Sequence, residues 1–463
     1  MVVFHNFFNL KKTPLSLLVF LCVACSPRSG ETVRPIPAGP LIILPGATST
    51  ANPKPDTLNP PDTRSGASTS PGLPVASASP SAVSSNQPIN SPNLNNSSGS
   101  SGGGGSNRPG TTSATALWRE SLAPGISIAN SSPILHDGKL FLVSSAGYVN
   151  VLDAQTGELL WENRKDTSFE STPVLGPDGN LFTGGLDGSI YGFDSEGVQY
   201  WTYTPEEPNR FQFGGMALDE NGILYAGGSS ETLYAINTVT GEEVWRFEGR
   251  APINNAPVIT ADRVYFLAMD QTLFALNRAD GAYIWEYQTG KPIQNISPAL
   301  GFGENIVFGS DDVWLYSVNR HGIENWGFQM RTGLTASPVI AADGTVYAGA
   351  GEVLYAVDSE GDLLWEQDLG SEIKSAPVLG DDGNIYVGTA NGRIYSLFSD
   401  GSTEWMYQAN GAIQGRLVMS DSGIVYGMTD KAQVVAIQSN SSGPAAGDWP
   451  MESGNARGWG RVN

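Results

Sequence analysis

Short runs in which apolar and polar residues alternate recur through most of the chain, and a tryptophan follows each of them. Examples are Tyr148–Asp153, Leu233–Asn237 and Leu354–Asp358. Such alternation predicts β-strands with one buried face. A glycine soon after each run predicts a tight turn, because glycine readily adopts positive φ.

The tryptophans mark an internal repeat from about residue 115 to 440, with a spacing of 39 to 44 residues. Seven of the eight have a glycine four residues before them. A period near 40 predicts one supersecondary unit that is copied and stacked on its neighbours. The eight residues are Trp118, Trp161, Trp201, Trp245, Trp285, Trp326, Trp365 and Trp405.

Each repeat contains signals for four short antiparallel strands. In the repeat that ends at Trp365, a small residue precedes Pro338, Asp343-Gly344 predicts a hairpin, and a Gly-rich strand spans Thr345–Gly349. The alternating run and the tryptophan strand complete the unit. Four-stranded units repeated around an axis predict an all-β fold, a β-propeller, which leaves few open sheet edges.

The two ends of the repeat region predict how the propeller closes. A lone tryptophan strand, Ala116–Glu120, precedes the first full unit, and three strands near Gly415–Ile437 lack a fourth. We therefore predict eight four-stranded blades, the last of which combines the N-terminal strand with the C-terminal strands. The domain boundaries are 115–441 for the propeller and 442–463 for a tail that contains Trp449-Pro450-Met451.

The sequence Val151–Trp161, with Thr-Gly and Trp in fixed register, and its counterpart Ala235–Trp245 resemble the repeat of pyrroloquinoline-quinone (PQQ) dehydrogenases. The same repeat occurs in cofactor-free relatives such as the BamB lipoproteins. The resemblance implies that the tryptophans are structural and dock adjacent blades. A buried tryptophan removes about 150–250 Å² from water.

The first residues resemble a bacterial lipoprotein signal peptide, residues 1–24. Lys11 and Lys12 precede an apolar run that is too short to span a bilayer, and Leu21–Ser26 resembles a lipobox in which Cys25 is acylated. Ordinary signal-peptidase cleavage and an uncleaved anchor are the alternatives. Ser26 implies outer-membrane sorting by the same resemblance, with the periplasmic or exterior side left open.

Residues 25–114 are rich in Pro, Ser, Asn and Gly, which predicts a disordered tether. Its root-mean-square span is on the order of 50 Å. The net charge of −21 argues against nucleic acid as a partner. Both cysteines precede the propeller, so we expect no disulfide there.

The sequence offers little catalytic equipment. His136 and His321 lack metal-ligand spacing, and nucleophile-elbow or phosphate-loop motifs are absent, so we predict no metal, no cofactor and no enzymatic activity. In the family, dehydrogenases hold the quinone between a tryptophan and a vicinal disulfide, beside calcium. The propeller has no cysteine pair, and Trp314, which is off the repeat register, fits either a quinone floor or a blade strand.

Two sets of residues are candidates for binding. One set is a polar ring, three positions before each opening proline or its equivalent, which we expect near the mouth of the central channel. It consists of Asn130, Glu170, Gly214, Asn254, Asn295, Thr335, Lys374 and Gln414. The other set, Arg250, Lys291 and Arg331, occupies one loop position in three successive repeats and suits an acidic peptide or glycan carboxylate, or merely balances charge.

We therefore predict a non-catalytic, lipid-anchored, monomeric propeller of the bacterial envelope that binds protein partners, similar to BamB. Two alternatives remain open. One is a PQQ-dependent dehydrogenase, and the other is an envelope sensor that binds a glycan or small molecule.

Overall fold

The computed structural model describes residues 112–122, 132–206, 215–293, 296–447 and 449–455. Within these ranges the regular elements are all β-strands. No helix long and apolar enough to cross a membrane occurs there. The predicted signal peptide, Cys25 and residues 25–111 of the predicted tether lie outside the described residues.

The described strands form eight sheets, which we number as blades in chain order. The N-terminal strands are β1 (Thr112–Ser113) and β2 (Ala116–Ser121). Blade 1 contains β3 (Ile134–His136), β4 (Lys139–Val143), β5 (Tyr148–Asp153) and β6 (Leu159–Arg164). Blade 2 contains β7 (Val174–Leu175), β8 (Leu181–Gly184), β9 (Ile190–Phe193) and β10 (Gln199–Tyr203). Blade 3 contains β11 (Met216–Leu218), β12 (Ile223–Ala226), β13 (Thr232–Asn237) and β14 (Glu243–Glu248).

Blades 4 to 8 repeat this arrangement. Blade 4 contains β15 (Val258–Ile259), β16 (Arg263–Ala268), β17 (Thr272–Asn277) and β18 (Tyr283–Gln288). Blade 5 contains β19 (Ala299–Gly301), β20 (Asn305–Gly309), β21 (Trp314–Val318) and β22 (Glu324–Gln329). Blade 6 contains β23 (Val339–Ile340), β24 (Val346–Ala350), β25 (Val353–Val357) and β26 (Leu363–Asp368). Blade 7 contains β27 (Val378–Leu379), β28 (Ile385–Gly388), β29 (Arg393–Leu397) and β30 (Thr403–Gln408), and blade 8 contains β31 (Ile413–Met419), β32 (Ile424–Thr429) and β33 (Gln433–Gln438).

The predicted closure and the eight-bladed propeller are both confirmed. Strand β2 pairs antiparallel with β33, with Trp118 opposite Ala436, and so supplies the fourth strand of blade 8. Strand β1 adds a contact that the sequence did not predict, because it pairs in parallel with β30 on the edge of blade 7. Residues 112–114, the end of the predicted tether, therefore belong to the propeller.

Seven of the eight repeat tryptophans lie against the glycine turn of the next blade. Trp405 is the exception, because no turn joins the third and fourth strands of blade 8. A Cβ atom on Gly281 would lie 2.6 Å from Cε3 of Trp245, and Gly281 has a φ of 69°, so only glycine fits this turn. The indole N–H groups of six tryptophans donate to the turn carbonyls of the next blade. They are those of Trp118, Trp161, Trp245, Trp285, Trp326 and Trp365.

Trp201 departs from this arrangement. Its Nε1 atom, rather than the benzene ring, lies nearest the Cβ position of Gly241, and this buried nitrogen has no hydrogen-bond partner within the described ranges. The apolar core lies between the blades, as where Tyr225 and Trp245 of blade 3 cluster with Phe266 of blade 4.

A β-bulge precedes the tryptophan in every blade's fourth strand. In blade 1, Val151 pairs with Trp161 and Leu152 pairs with Leu159, so that Leu160 has no opposite residue. The extra residue keeps the tryptophan side chain directed at the next blade. The residue before the tryptophan stays outside the interface between the blades. Six of these predecessors are exposed large apolar residues: Leu117, Leu160, Tyr200, Val244, Ile284 and Leu364.

Candidate functional site: the central channel

The innermost strands of the blades surround a central channel. The residues just before each first strand line this channel. Of the predicted polar ring, Glu170, Asn254, Thr335 and Lys374 do line the channel. Gln414 lies on β31, where its neighbours Gly415 and Arg416 line the channel instead. Three further members of the predicted ring lie outside the described residues: Asn130, Gly214 and Asn295.

Serines placed directly before the opening prolines link neighbouring blades around the channel. The backbone N–H of Ala256 donates to the hydroxyl oxygen of Ser297, 3.3 Å away, and the N–H of Ser297 donates to that of Ser337, 2.9 Å away. In the same way the N–H of Arg416 donates to the hydroxyl of Ser132 at 3.0 Å. The small polar residue of the repeat therefore satisfies a backbone donor of the preceding blade.

The C-terminal segment, residues 449–455, extends along the inner strands of blades 6 and 7. Trp449 forms a β-bridge with Ile340, and Met451 forms one with Val378; both side chains are buried. Glu452 and Ser453 then line the channel. The predicted Trp-Pro-Met tail is thus part of the channel wall.

A second contact holds the segment that leads into this tail. The hydroxyls of Ser441 and Ser442 both donate to the carboxylate of Asp381, and the backbone N–H of Ser442 does so too. These hydrogen bonds lower the pKa of Asp381 to about 2. The carboxylate therefore stays charged at neutral pH and fixes the segment against blade 7.

Arg416 is the most unusual residue of the channel. Its side chain is buried, and burial lowers the pKa of its guanidinium to about 10 against an opposing effect of the nearby Glu452 carboxylate. Nη1 donates to the backbone carbonyl of Glu452 at 3.1 Å, and Nε faces the carbonyl of Pro133 at 3.5 Å. The carboxylate of Glu452 instead accepts the hydroxyl of Ser337 at 2.9 Å.

Arg416 was not among the predicted binding residues, although the repeat register contains a signal for it. In six of the other seven repeats the residue at its position is small and a proline follows, and in the remaining repeat Gly215 precedes Met216. In the eighth repeat Leu417 replaces the proline, and a long cation replaces the small residue. Glu452, by contrast, gives no such signal, because it lies beyond the repeats.

The space left in the channel has a volume of about 250 Å³. A larger cavity of about 960 Å³ lies between the hairpin turns of blades 8 and 1 and the C-terminal segment. Met419, Ile424 and Met451 contribute apolar surface to it, while Asp137 and Asp421 contribute charge. Among the described residues, no cluster of three or more His, Cys, Asp or Glu side chains is placed to hold a metal.

Two of the three basic loop residues lie beside acidic groups of the following blade. Arg250 forms ion pairs with Asp270 at 3.3 Å and Glu286 at 3.0 Å, and Arg331 pairs with Glu366. Lys291 is exposed. Charge balance within the propeller thus accounts for two of the three cations, and their role in binding stays a prediction.

The structure also places the remaining candidates from the sequence. Trp314 is the first residue of β21, the third strand of blade 5, and its ring lies close to Gly327 of the fourth strand. It therefore fills a blade and does not line the channel. His136 ends β3 and lies at the edge of the larger cavity, 3.6 Å from Asp137, whereas His321 lies in the turn before β22.

Comparison with known proteins gives one family. The family profile described as outer membrane protein assembly factor BamB matches residues 110–212, 186–321 and 311–446. A curated relative of that name from Burkholderia pseudomallei is 26% identical over 140 residues, which is 30% of this chain. The alignment spans 35% of the relative's own length.

Solved structures share the fold at low sequence identity. BamB from Moraxella catarrhalis is 16% identical, with 70% of this chain and 100% of that chain covered and a TM-score of 0.60. A quinohemoprotein alcohol dehydrogenase from Pseudomonas putida is 15% identical, with 73% and 77% covered and a TM-score of 0.61. The computationally designed protein Ika8 is also 15% identical, with 69% and 98% covered and a TM-score of 0.60. At this identity the three structures establish a shared architecture.

Proposed function

Because this chain belongs to the PQQ-like propeller family described as outer membrane protein assembly factor BamB, we propose that it is a non-catalytic scaffold that binds a protein partner in the bacterial envelope. The observation that carries the proposal is the family match, which extends over all eight blades. The partner class follows from the description of the family, an assembly factor for outer membrane proteins.

The surface of the propeller supports a protein partner. The bulge residues and their neighbours leave pairs of large apolar side chains exposed on the fourth strands, at Leu159 and Leu160 of blade 1 and at Leu363 and Leu364 of blade 6. Contiguous exposed apolar surface is typical of protein-binding sites. The channel, by contrast, is narrow and partly filled by the chain's own C-terminal segment.

A quinoprotein dehydrogenase is the second candidate. In its favour, Glu170 and Asn254 place oxygen atoms that could bind a metal on the channel wall. The Oδ1 atom of Asn254 is buried without a hydrogen-bond partner in the described part of the chain. Calcium prefers such oxygen ligands. A planar quinone also needs an aromatic surface to stack on. The described residues that line the channel include no aromatic side chain, so they do not fit the cofactor.

A cross-linking experiment in envelope membranes tests the scaffold proposal against the enzyme. A photoreactive amino acid at Leu160 or Leu364 should give a discrete adduct that mass spectrometry identifies as an envelope protein. The matched control is the same amino acid at Val239, an exposed apolar residue in the turn between the third and fourth strands of blade 3, which should give none. Dye-linked alcohol or sugar oxidation that appears when PQQ and calcium are added, with no adduct at either leucine, would replace the scaffold proposal by the enzyme.

We further propose that Cys25 anchors the chain to the outer membrane. Cys25→Ala should move the protein from the membrane fraction to the soluble fraction, because lipid chains on that cysteine supply the hydrophobic attachment. Cell fractionation with immunoblotting measures the change. Cys22→Ala, three residues earlier, is the control and should leave the protein in membranes; equal retention of both variants would contradict acylation at Cys25.

A further inference from the structure

The guanidinium of Arg416 is a buried cation without a complete set of partners. Arg416 is 1% exposed, and its Nη2 atom has no hydrogen-bond partner within the described ranges. Arginine keeps its charge under ordinary conditions, and an unpaired buried charge is costly. An N–H group in this state indicates that something other than the described side chains completes its hydrogen bonding.

The charged residues that line the channel in the described part of the chain do not supply that partner. The Oε1 atom of Glu452 accepts the hydroxyl of Ser337, and only the backbone carbonyl of Glu452 accepts from Arg416. Glu170 accepts the hydroxyl of Ser168 at 3.4 Å. The second cation of the channel, Lys374, pairs with Glu372 at 2.7 Å.

Hydroxyl and amide groups line the same channel as Arg416. Seven of the described lining residues carry hydroxyls, and one of these hydroxyls, that of Ser337, is donated to Glu452. The seven are Ser132, Ser171, Thr172, Ser297, Thr335, Ser337 and Ser453. Hydrogen bonds from a guanidinium to an ionised oxygen are about twice as strong as neutral ones. A volume of about 250 Å³ is large enough for a small anion together with several waters.

We propose that the central channel binds a small oxyanion, held by Nη2 of Arg416 and by the hydroxyls of Ser132, Thr172 and Ser297, with Lys374 at the mouth favouring its entry. The ligand class is an inorganic tetrahedral oxyanion or a small carboxylate, which share charged oxygen acceptors. The negative charge of the Glu452 carboxylate repels the anion and so lowers the affinity of the channel for it.

Isothermal titration of the full chain with sodium phosphate, sulfate and acetate, at constant ionic strength set by chloride, tests the proposal. We expect saturable binding of one anion per chain and a higher melting temperature in its presence. The phosphate and sulfate arms, compared with the acetate arm, distinguish a tetrahedral anion from a carboxylate. Absence of saturable binding in all three arms would overturn the proposal.

Three variants locate the site. Arg416→Lys keeps the charge but removes the Nη2 donor, and should weaken binding about tenfold or more, as expected for a lost charge-assisted hydrogen bond. Glu452→Gln retains an acceptor for Ser337 and should tighten binding. Arg331→Lys, an exposed arginine whose ion pair lies outside the channel, is the matched control and should bind like the parent chain.

Anomalous diffraction from crystals soaked in selenate provides a readout that does not depend on the folding of Arg416→Lys. A selenium peak within hydrogen-bond distance of Arg416 supports the site. A peak elsewhere with none in the channel, or equal affinity in the parent chain, Arg416→Lys and Glu452→Gln, shows that the channel is not an oxyanion site.

Discussion

Trp245→Ala is expected to lower the free energy of unfolding by about 3–5 kcal/mol, the usual cost of truncating a large buried aromatic residue. Trp245 is 7% exposed. Its indole covers Gly281 of blade 4, and its Nε1 donates to the carbonyl of Arg278 at 3.0 Å. Alanine leaves a cavity between two blades that the paired strands cannot close by a small movement.

Urea unfolding followed by far-ultraviolet circular dichroism measures this loss. Val244→Ala is the control, because Val244 is the adjacent bulge residue and 49% exposed, and it should change stability by roughly 0.5 kcal/mol or less. A loss of similar size in both variants would show that the outer strand as a whole, and not the indole, holds the blades together.

Phenylalanine substitutions distinguish the contribution of the aromatic ring to stability from that of the indole N–H group. Trp245→Phe should cost roughly 1 kcal/mol more than Trp201→Phe. The reason is that Trp245 donates a hydrogen bond to the next blade, whereas the Nε1 of Trp201 has no partner within the described ranges. Equal losses would mean that the indole N–H contributes nothing to docking.

The repeat made most of this fold predictable. A tryptophan needs a flat partner across the blade interface, and a glycine turn provides it. Seven of the tryptophans are therefore followed 35 to 40 residues later by a turn glycine, as Trp245 is by Gly281. The unpaired strand at the front and the incomplete unit at the back then required closure, which β2 and β33 provide. These features are local and periodic, and a single sequence displays them.

Other features do not leave a periodic signal. The bulge at Leu160 exposes an apolar residue. The alternation of apolar and polar positions does not predict on which face of the strand this residue lies. The pairing of β1 with β30 and the bridge of Trp449 to Ile340 depend on contacts between distant parts of the chain. For the channel, the repeat register identified Glu170, Asn254 and Lys374 as lining residues, but not Glu452, which reaches the channel from outside the repeats.

Asp219→Ala is the second substitution with a large expected effect, a loss of about 3–5 kcal/mol, because it leaves the largely buried charge of Arg278 without its main partner. The side chain of Asp219 is 1% exposed and that of Arg278 is 11% exposed. One carboxylate oxygen accepts from Nη2 and Nε of Arg278 at 2.7 and 3.1 Å and from the hydroxyl of Tyr225. The other accepts the backbone N–H groups of Asn221 and Ile223.

Glu220→Ala is the matched control, because Glu220 pairs with the same Nη2 atom at 2.8 Å but its side chain is 46% exposed. Burial by itself lowers the pKa of Arg278, and the carboxylates of Glu220 and Asp219 raise it above its usual value overall. Because solvent screens the Glu220 pair, its loss should cost about 0–1 kcal/mol. Similar costs for the two variants in urea unfolding would contradict the importance of burial.

Arg278 also connects this ion pair to the tryptophan interface. Its side chain binds Asp219 of blade 3, while its backbone carbonyl accepts the indole N–H of Trp245. Substitutions that share a partner are usually not additive. We therefore expect the double variant Asp219→Ala, Trp245→Ala to lose about 0.5–3 kcal/mol less than the sum of the single losses, since the turn that carries Arg278 is already displaced by the first change. Strict additivity in the same unfolding assay would show that the ion pair and the indole stabilise blades 3 and 4 independently.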